Sequence, residues 1–290
     1  MPLGSLRGAS FRLQFSATSL HHSVVVVIVF QPSFHSQAAV GYQNKPVTPN
    51  TMNIACSTFQ MVGNKVATLG DITANDLFAF AEDTLQLLTG TGGTLALYTY
   101  CNAAWAAEFE SLGLKEGWYD FYEINDWDWE STAPACKNSV ELPYGTMFIL
   151  QSSYDGAALT YAGQVLEADK EFEIVPGTMN MLGNATPVDL TLADIPANDT
   201  FAFAEDTLQT LTGTGGTLAL YTYCNAAWAE EFASTGLKVG WYDFYDINDW
   251  DWESTAPESK NSLPIPAGYG FIIQSSYEGA GITIPSPIAD

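Results

Sequence analysis

The sequence predicts a mainly β protein made of two tandem β-sandwich- or barrel-like repeats, each with one short helix. Three observations carry this. The chain repeats itself: Gly117 to Pro134 returns as Gly240 to Pro257 with one change, Glu123 to Asp246. Phe78 to Phe109 likewise returns as Phe201 to Phe232 with two changes, Leu87 to Thr210 and Ala107 to Glu230. Within a copy, short runs of β-branched and aromatic residues are cut by Gly, Pro, Asn and Asp turn signals, and one stretch alone has helical spacing.

The first 38 residues contain no acid; they carry basic residues, an apolar run from Val24 to Phe30, then Pro32 and small residues ending in Ser36 and Ala38. This pattern resembles a secretory signal peptide cleaved after Ala38; the competing reading is an N-terminal strand. The run is too short to cross a bilayer as a helix, so no membrane span is expected in the mature chain. Residues 39–165 form the first repeat, 166–173 a short charged connector, and 174–290 the second repeat. Units of this size are domains rather than solenoid repeats.

Inside the first repeat, Thr84 to Leu88 and Thr94 to Cys101 read as a hairpin around the loop Thr89 to Gly93. That loop lacks the Lys-Ser/Thr of a phosphate cradle. Asn102 caps a helix whose Trp105, Phe109 and Leu112 share one face, and Gly113 closes it. The expected role of this stripe is to pack on the sheet. After Pro143, Thr146 to Ser153 is a buried strand and Leu159 to Val165 closes the unit. Gly270 to Ser276 and Ile282 to Ile284 are the counterparts in the second copy.

The aromatic stretch Gly117 to Pro134 reads as a second hairpin turning at Asn125-Asp126, residues that tolerate the left-handed backbone of a tight turn. Trp118, Tyr122, Ile124, Trp127 and Trp129 then share an apolar face, and Tyr119, Phe121, Glu123, Asp128 and Glu130 the opposite one. Two ligand roles follow from this hairpin, beside the plainer reading of a core face backed by a solvated acidic face. Glu123, Asp126, Asp128 and Glu130, with Asp246, Asp249, Asp251 and Glu253, supply the oxygen ligands that calcium would take, although the spacing is not that of an EF-hand. Trp118, Trp127, Trp129, Trp241, Trp250 and Trp252 would make a stacking platform for a glycan. No other cofactor is expected.

Charge restricts the partners. There are 33 acids against 9 Lys plus Arg, a net charge of −24. Both arginines and all three histidines fall within the first 35 residues, which leaves seven lysines against all 33 acids thereafter. Such a surface repels nucleic acid and attracts cations or basic partners. Without His or Arg, the predicted mature chain has no Ser-His or Cys-His nucleophile and no bidentate phosphate clamp. Carboxylate chemistry alone survives, and a glycosidase needs just two acids across a sugar.

Four cysteines suit an oxidising compartment without requiring one. Cys101 and Cys224 are equivalents, either small buried residues or a cross-link between the repeats. Cys56 and Cys136 are replaced by Gly183 and Ser259 in the second copy. A Cys56–Cys136 disulfide lost as a unit would leave that pattern, and so would independent drift. Two glycosylation sequons, at Asn184 and Asn198, occur in the second copy only.

GYQNK at Gly41 to Lys45, the Thr-Met-Asn openings at Thr51 and Thr178, GWYD at Gly117 and Gly240, and the late turn Pro266 to Gly270 resemble a group of uncharacterised secreted bacterial β-rich surface proteins. The first copy departs at that late turn with Pro143-Tyr144-Gly145. The resemblance implies secretion and a β-sandwich-like module; it implies no activity. The reading is a secreted or bacterial cell-surface protein, not an enzyme, that binds a surface component or self-associates. The alternatives are a carbohydrate-binding module and, behind it, a carboxylate-dependent glycosidase.

Overall fold

A computed structural model describes residues 25–28, 40–56, 66–89, 94–126, 132–212, 217–249 and 255–288. The first repeat contains β1 (Val25–Ile28), β2 (Val40–Pro46), β3 (Asn53–Cys56), β4 (Ala67–Thr68), β5 (Ile72–Ala74), β6 (Thr84–Thr89), β7 (Thr94–Cys101), α1 (Ala103–Glu108), β8 (Gly117–Asp120), α2 (Phe121–Asn125), β9 (Glu141–Leu142), β10 (Met147–Gln151) and β11 (Ala158–Gln164). The second contains β12 (Lys170–Glu173), β13 (Asn180–Gly183), β14 (Leu190–Thr191), β15 (Thr207–Thr212), β16 (Thr217–Cys224), α3 (Ala226–Glu231), β17 (Gly240–Asp243), α4 (Phe244–Asn248), β18 (Pro264–Ile265), β19 (Gly270–Gln274) and β20 (Gly281–Ile284). The fold is mainly β, as the turn-punctuated strand runs predict. Among the described residues each repeat has two short α-helices rather than one.

The same five-stranded antiparallel sheet occurs twice, in the order β3-β10-β6-β7-β8 and then β13-β19-β15-β16-β17. Against its inner face lies a smaller sheet, β1-β2-β11-β5 in the first repeat and β12-β20 in the second. The charged stretch read as a connector therefore supplies strand β12, paired to β20 from Lys170↔Ile284 to Glu173↔Gly281. Within residues 1–38, only β1 is described; it lies antiparallel on β2, from Val25↔Gln43 to Ile28↔Val40.

Strand alternation sorts the side chains. Leu85, Leu87, Tyr98, Tyr100, Trp118 and Phe148 point inward to the first core; Leu208, Tyr221, Tyr223, Trp241 and Phe271 do the same in the second. The outer face of each large sheet is covered in two parts. At its β7–β8 side, Cys101, Tyr119 and Ile124 pack with Phe80 and Leu114 into a small second core beneath the helices, mirrored by Cys224, Tyr242 and Ile247. At its β3–β10 side it meets the other repeat.

That inter-repeat contact is nearly two-fold. A residue on a two-fold axis faces its own equivalent. Cys56 lies against Gly183, where an added Cβ would sit 2.8 Å from the Cys56 Cβ and Sγ and 2.6 Å from the Tyr269 carbonyl oxygen. Met147 likewise lies against Gly270, its equivalent, with an added Cβ at 2.5 Å from Met147 Cγ. One repeat fills the axis and the other leaves room. Around it, Cys56 Sγ donates to the Asn184 carbonyl (3.2 Å), the Cys56 amide to the Gly268 carbonyl (3.0 Å), and Tyr144 stacks on Phe172 (6.3 Å, 13°).

The disulfide reading fails on this geometry. Cys56 is on β3 at one edge of the sheet, whereas Cys136 follows the opposite edge strand β8, next to Lys137, whose amide donates to the Trp118 carbonyl at 2.7 Å. Four strand spacings separate those edges, about 19 Å, and a disulfide spans roughly 7 Å between Cα atoms at most. All four cysteines are free, and Cys101 and Cys224 lie in separate small cores, so they do not cross-link the repeats. Asn184 is fully buried, its Nδ2 donating to the Val188 and Ile265 carbonyls, so in the folded chain that sequon is closed to glycosylation.

A buried carboxylate ties each repeat together. Asp83 Oδ2 accepts from Ser152 Oγ (2.6 Å) and the Ala79 amide (2.8 Å), and Asp206 repeats this with Ser275 and Ala202. Asp83→Ala strands the buried Ser152 hydroxyl and the half-buried Ala79 and Ser153 amides and is expected to lower stability by about 1–3 kcal/mol, with a matching loss for Asp206→Ala. Urea denaturation checks both; no change in either would remove the carboxylates from this role.

Candidate functional site

The repeated GWYD stretch is the natural first place to look for a site, and the fold consumes all four residues. Gly117 has φ +143, a backbone that L side chains rarely adopt, and an added Cβ would lie 2.5 Å from the Asn138 side chain. Asn138 Oδ1 accepts the Trp118 amide at 2.8 Å. Trp118 is fully buried, and its indole Nε1–H donates to the Ile72 carbonyl at 2.7 Å. Tyr119 points the other way into the small core, its hydroxyl bonded to Lys115 main chain at 3.0 Å. Asp120 is the N-cap of α2 and accepts from Tyr122 N (2.9 Å) and Glu123 N (3.1 Å). Gly240, Trp241, Tyr242 and Asp243 repeat every one of these roles, with Asn261, Ile195 and Lys238 as partners.

The expected aromatic hairpin is therefore a strand followed by a helix. Backbone at Phe121–Asn125 is α-helical and Asn125 is inside it, so it makes no hairpin turn. Tyr122 turns outward while Ile124 is buried, which breaks the proposed apolar face. Trp118 and Trp241 are core residues with no face open to a sugar. Trp127, Asp128, Trp129 and Glu130, and likewise Trp250, Asp251, Trp252 and Glu253, lie outside the described residues. Of the remaining cation candidates, Glu123 pairs with Lys137 at 3.2 Å and Asp126 is exposed at the C-terminus of α2, as Asp249 is at that of α4. Asp246 is exposed in the first turn of α4. Among the described residues no group of three such ligands comes together.

A different aromatic surface takes their place. Asn102 Oδ1 accepts from Ala104 N and Trp105 N, both at 3.1 Å, and starts α1 as its sequence predicts. The stripe on that helix buries only in part: Phe109 packs on the small core, and Trp105 stays exposed. Trp105 is 38% exposed and stacks flat on Phe109, one turn on, with centroids 6.0 Å apart and planes at 10°. Buried Phe80 props Trp105 from beneath at 5.7 Å. In the second repeat Trp228 is 36% exposed, stacks on Phe232 at 5.9 Å and 13°, and rests on Phe203 at 5.7 Å. Beside each shelf, Ala81 and Ala204 hold positive φ (65° and 66°), their amides bonded to Thr99 and Thr222 Oγ1 and their carbonyls to Asn125 and Asn248 Nδ2. These bonds fix the Phe80 and Phe203 loops to the helices.

The thiols do not form a reactive centre. Burial pushes Cys101 up to about 12, helped by the Glu116 carboxylate, and Cys224 to about 11. Burial raises Cys56 further still, against the pull of the nearby Lys45 ammonium. In the native protein near pH 8, iodoacetamide is expected to label Cys136 alone, the one exposed thiol; mass spectrometry counting two or more adducts would contradict this placement. Because the folded thiols titrate above their unfolded value of about 8.5, their contribution to stability is intact below that pH. It is lost as pH rises towards 11 to 12.

No protein-family model, curated protein or solved structure matches this chain. Among the described residues, no helix is long and apolar enough to cross a membrane.

Proposed function

We propose that this is a secreted or cell-surface, non-catalytic binding protein whose two modules present equivalent ligand shelves, Trp105–Phe109 and Trp228–Phe232. The observation that carries the reading is the preservation of this exposed stack in both copies, to within 0.1 Å in centroid separation. Burying a tryptophan is favourable, and a folded chain gains nothing by holding two of them open in the same geometry. Secretion rests on the signal-like first 38 residues, and the non-catalytic reading on the lack of His and Arg beyond them. Two linked shelves suit a multivalent partner, for which effective concentration adds avidity. Glycan stacking is the second reading, favoured by the flat, paired rings.

The test is a screen of the immobilised full chain against glycans and charged peptides. At least one class is expected to be retained and then lost in Trp105→Ala/Trp228→Ala. Retention of no class, or equal retention by that variant, would end the binding-module reading.

A further inference from the structure

The two shelves carry a charge that selects among ligands, and from it we infer that each binds a cationic group, the lysine or arginine side chains of a basic peptide or protein partner. This rests on the binding-module reading and narrows it. Trp105 has Glu108 one turn on, and side chains three apart on a helix are neighbours. Glu108 and Glu110 are both exposed. The second shelf is more acidic, since Trp228 is followed by exposed Glu230 and Glu231, Glu230 replacing Ala107. Beside the Phe80 and Phe203 props, Glu82 and Glu205 are held by the hydroxyls of Tyr154 (2.7 Å) and Tyr277 (2.6 Å).

Few bases offset these acids: no Lys, Arg or His occurs between Lys65 and Lys115 or between Lys170 and Lys238, so Lys115 and Lys238 are the first to follow them in the chain. An open indole face attracts a cation through its quadrupole, and flanking carboxylates strengthen the attraction. A second copy of this chain is the wrong occupant, because a net charge of −24 makes copies repel. A neutral glycan would leave the carboxylates without a role. The inter-repeat contact uses β3, β10, β13 and β19, whereas the shelves sit by β7–β8 and β16–β17, so both are open at once. One chain can therefore hold two basic segments.

The test is calorimetric titration of the full chain with a short oligolysine peptide, alongside tryptophan fluorescence. Two equivalents are expected to bind, one in Trp105→Ala or Trp228→Ala, with affinity at the altered shelf down about tenfold. Trp105→Phe should restore part of it, which separates a lost ring from a lost fold, and melting midpoints should stay near that of the parent. Added salt should weaken binding at both shelves. Oligolysine binding that is unchanged in Trp105→Ala/Trp228→Ala would reduce the effect to diffuse charge and overturn the inference. So would no binding at low salt. If oligolysine fails while a neutral glycan binds and is lost in that variant, the cationic ligand is wrong and the binding module stands; if both fail, both readings fall.

Discussion

Trp118→Ala is expected to cost about 3–5 kcal/mol, a large share of the 5–15 kcal/mol that holds a typical domain together. The side chain is fully buried, flanked edge-on by Phe78 (5.8 Å, 71°) and Tyr100 (5.1 Å, 63°), and its indole N–H satisfies the Ile72 carbonyl. Truncation removes the packing, leaves a cavity and strands the carbonyl together. Trp241→Ala should do the same to the second repeat, through Phe201, Tyr223 and Ile195. Trp118→Phe should fall between, keeping apolar volume but losing the hydrogen bond. Trp105→Ala should cost less, about 1–2 kcal/mol, because the ring is partly in water but gives up its contacts with Phe109 and Phe80. Urea melts of the four variants test the division. If Trp105→Ala proved as damaging as Trp118→Ala, the shelf would be core and the site would have to be sought elsewhere.

Gly183→Ala is the second substitution with a large expected effect, about 1–3 kcal/mol through overpacking. The new methyl would press on the Tyr269 carbonyl oxygen, which cannot move cheaply, and on Cys56. Cys56→Gly in the same chain should recover part of the loss by clearing the two side-chain contacts at 2.8 Å, leaving the backbone contact at 2.6 Å. Gly270→Ala presses first on Ile54 Cγ2 and then on the Met147 side chain, so Met147→Ala should recover part of its loss and leave the Ile54 contact. Full additivity in either pair, measured by denaturation, would contradict the near-two-fold contact, since residues that touch must couple.

This contact also explains a pattern that sequence reading left open. Cys56 is missing from the second copy because the axis holds one side chain, not two. The duplication made the strand pairs legible: β6 and β7 fall where the Gly-rich loop divides them, and β10 and β11 where the late apolar runs stand. Asn102 marked the helix start in the same way; Gly113, at φ +87, closes not α1, which ends at Glu108, but the 3-10 turn that follows it. GWYD itself is a strand, and it is Phe121 to Asn125 that misled, because aromatic density reads as strand. Asp120 followed three residues later by Glu123 was the competing signal, a capped helix start, and it prevails because Asp120 accepts two otherwise orphaned amides. The shelves were not legible, since Trp105 and Phe109 have the spacing of a buried stripe and only the three-dimensional position of α1 leaves the Trp105 ring partly open.

The most direct measurement is the set of indole N–H signals of the eight tryptophans, followed by NMR with hydrogen exchange and then with added ligand. Two signals, lost in Trp118→Ala and Trp241→Ala, should exchange slowest and stay fixed. Two others, lost in Trp105→Ala and Trp228→Ala, should exchange fast and shift together on binding. Protected Trp105 and Trp228 signals that ignore every ligand, beside a responsive Trp118 or Trp241, would contradict the account.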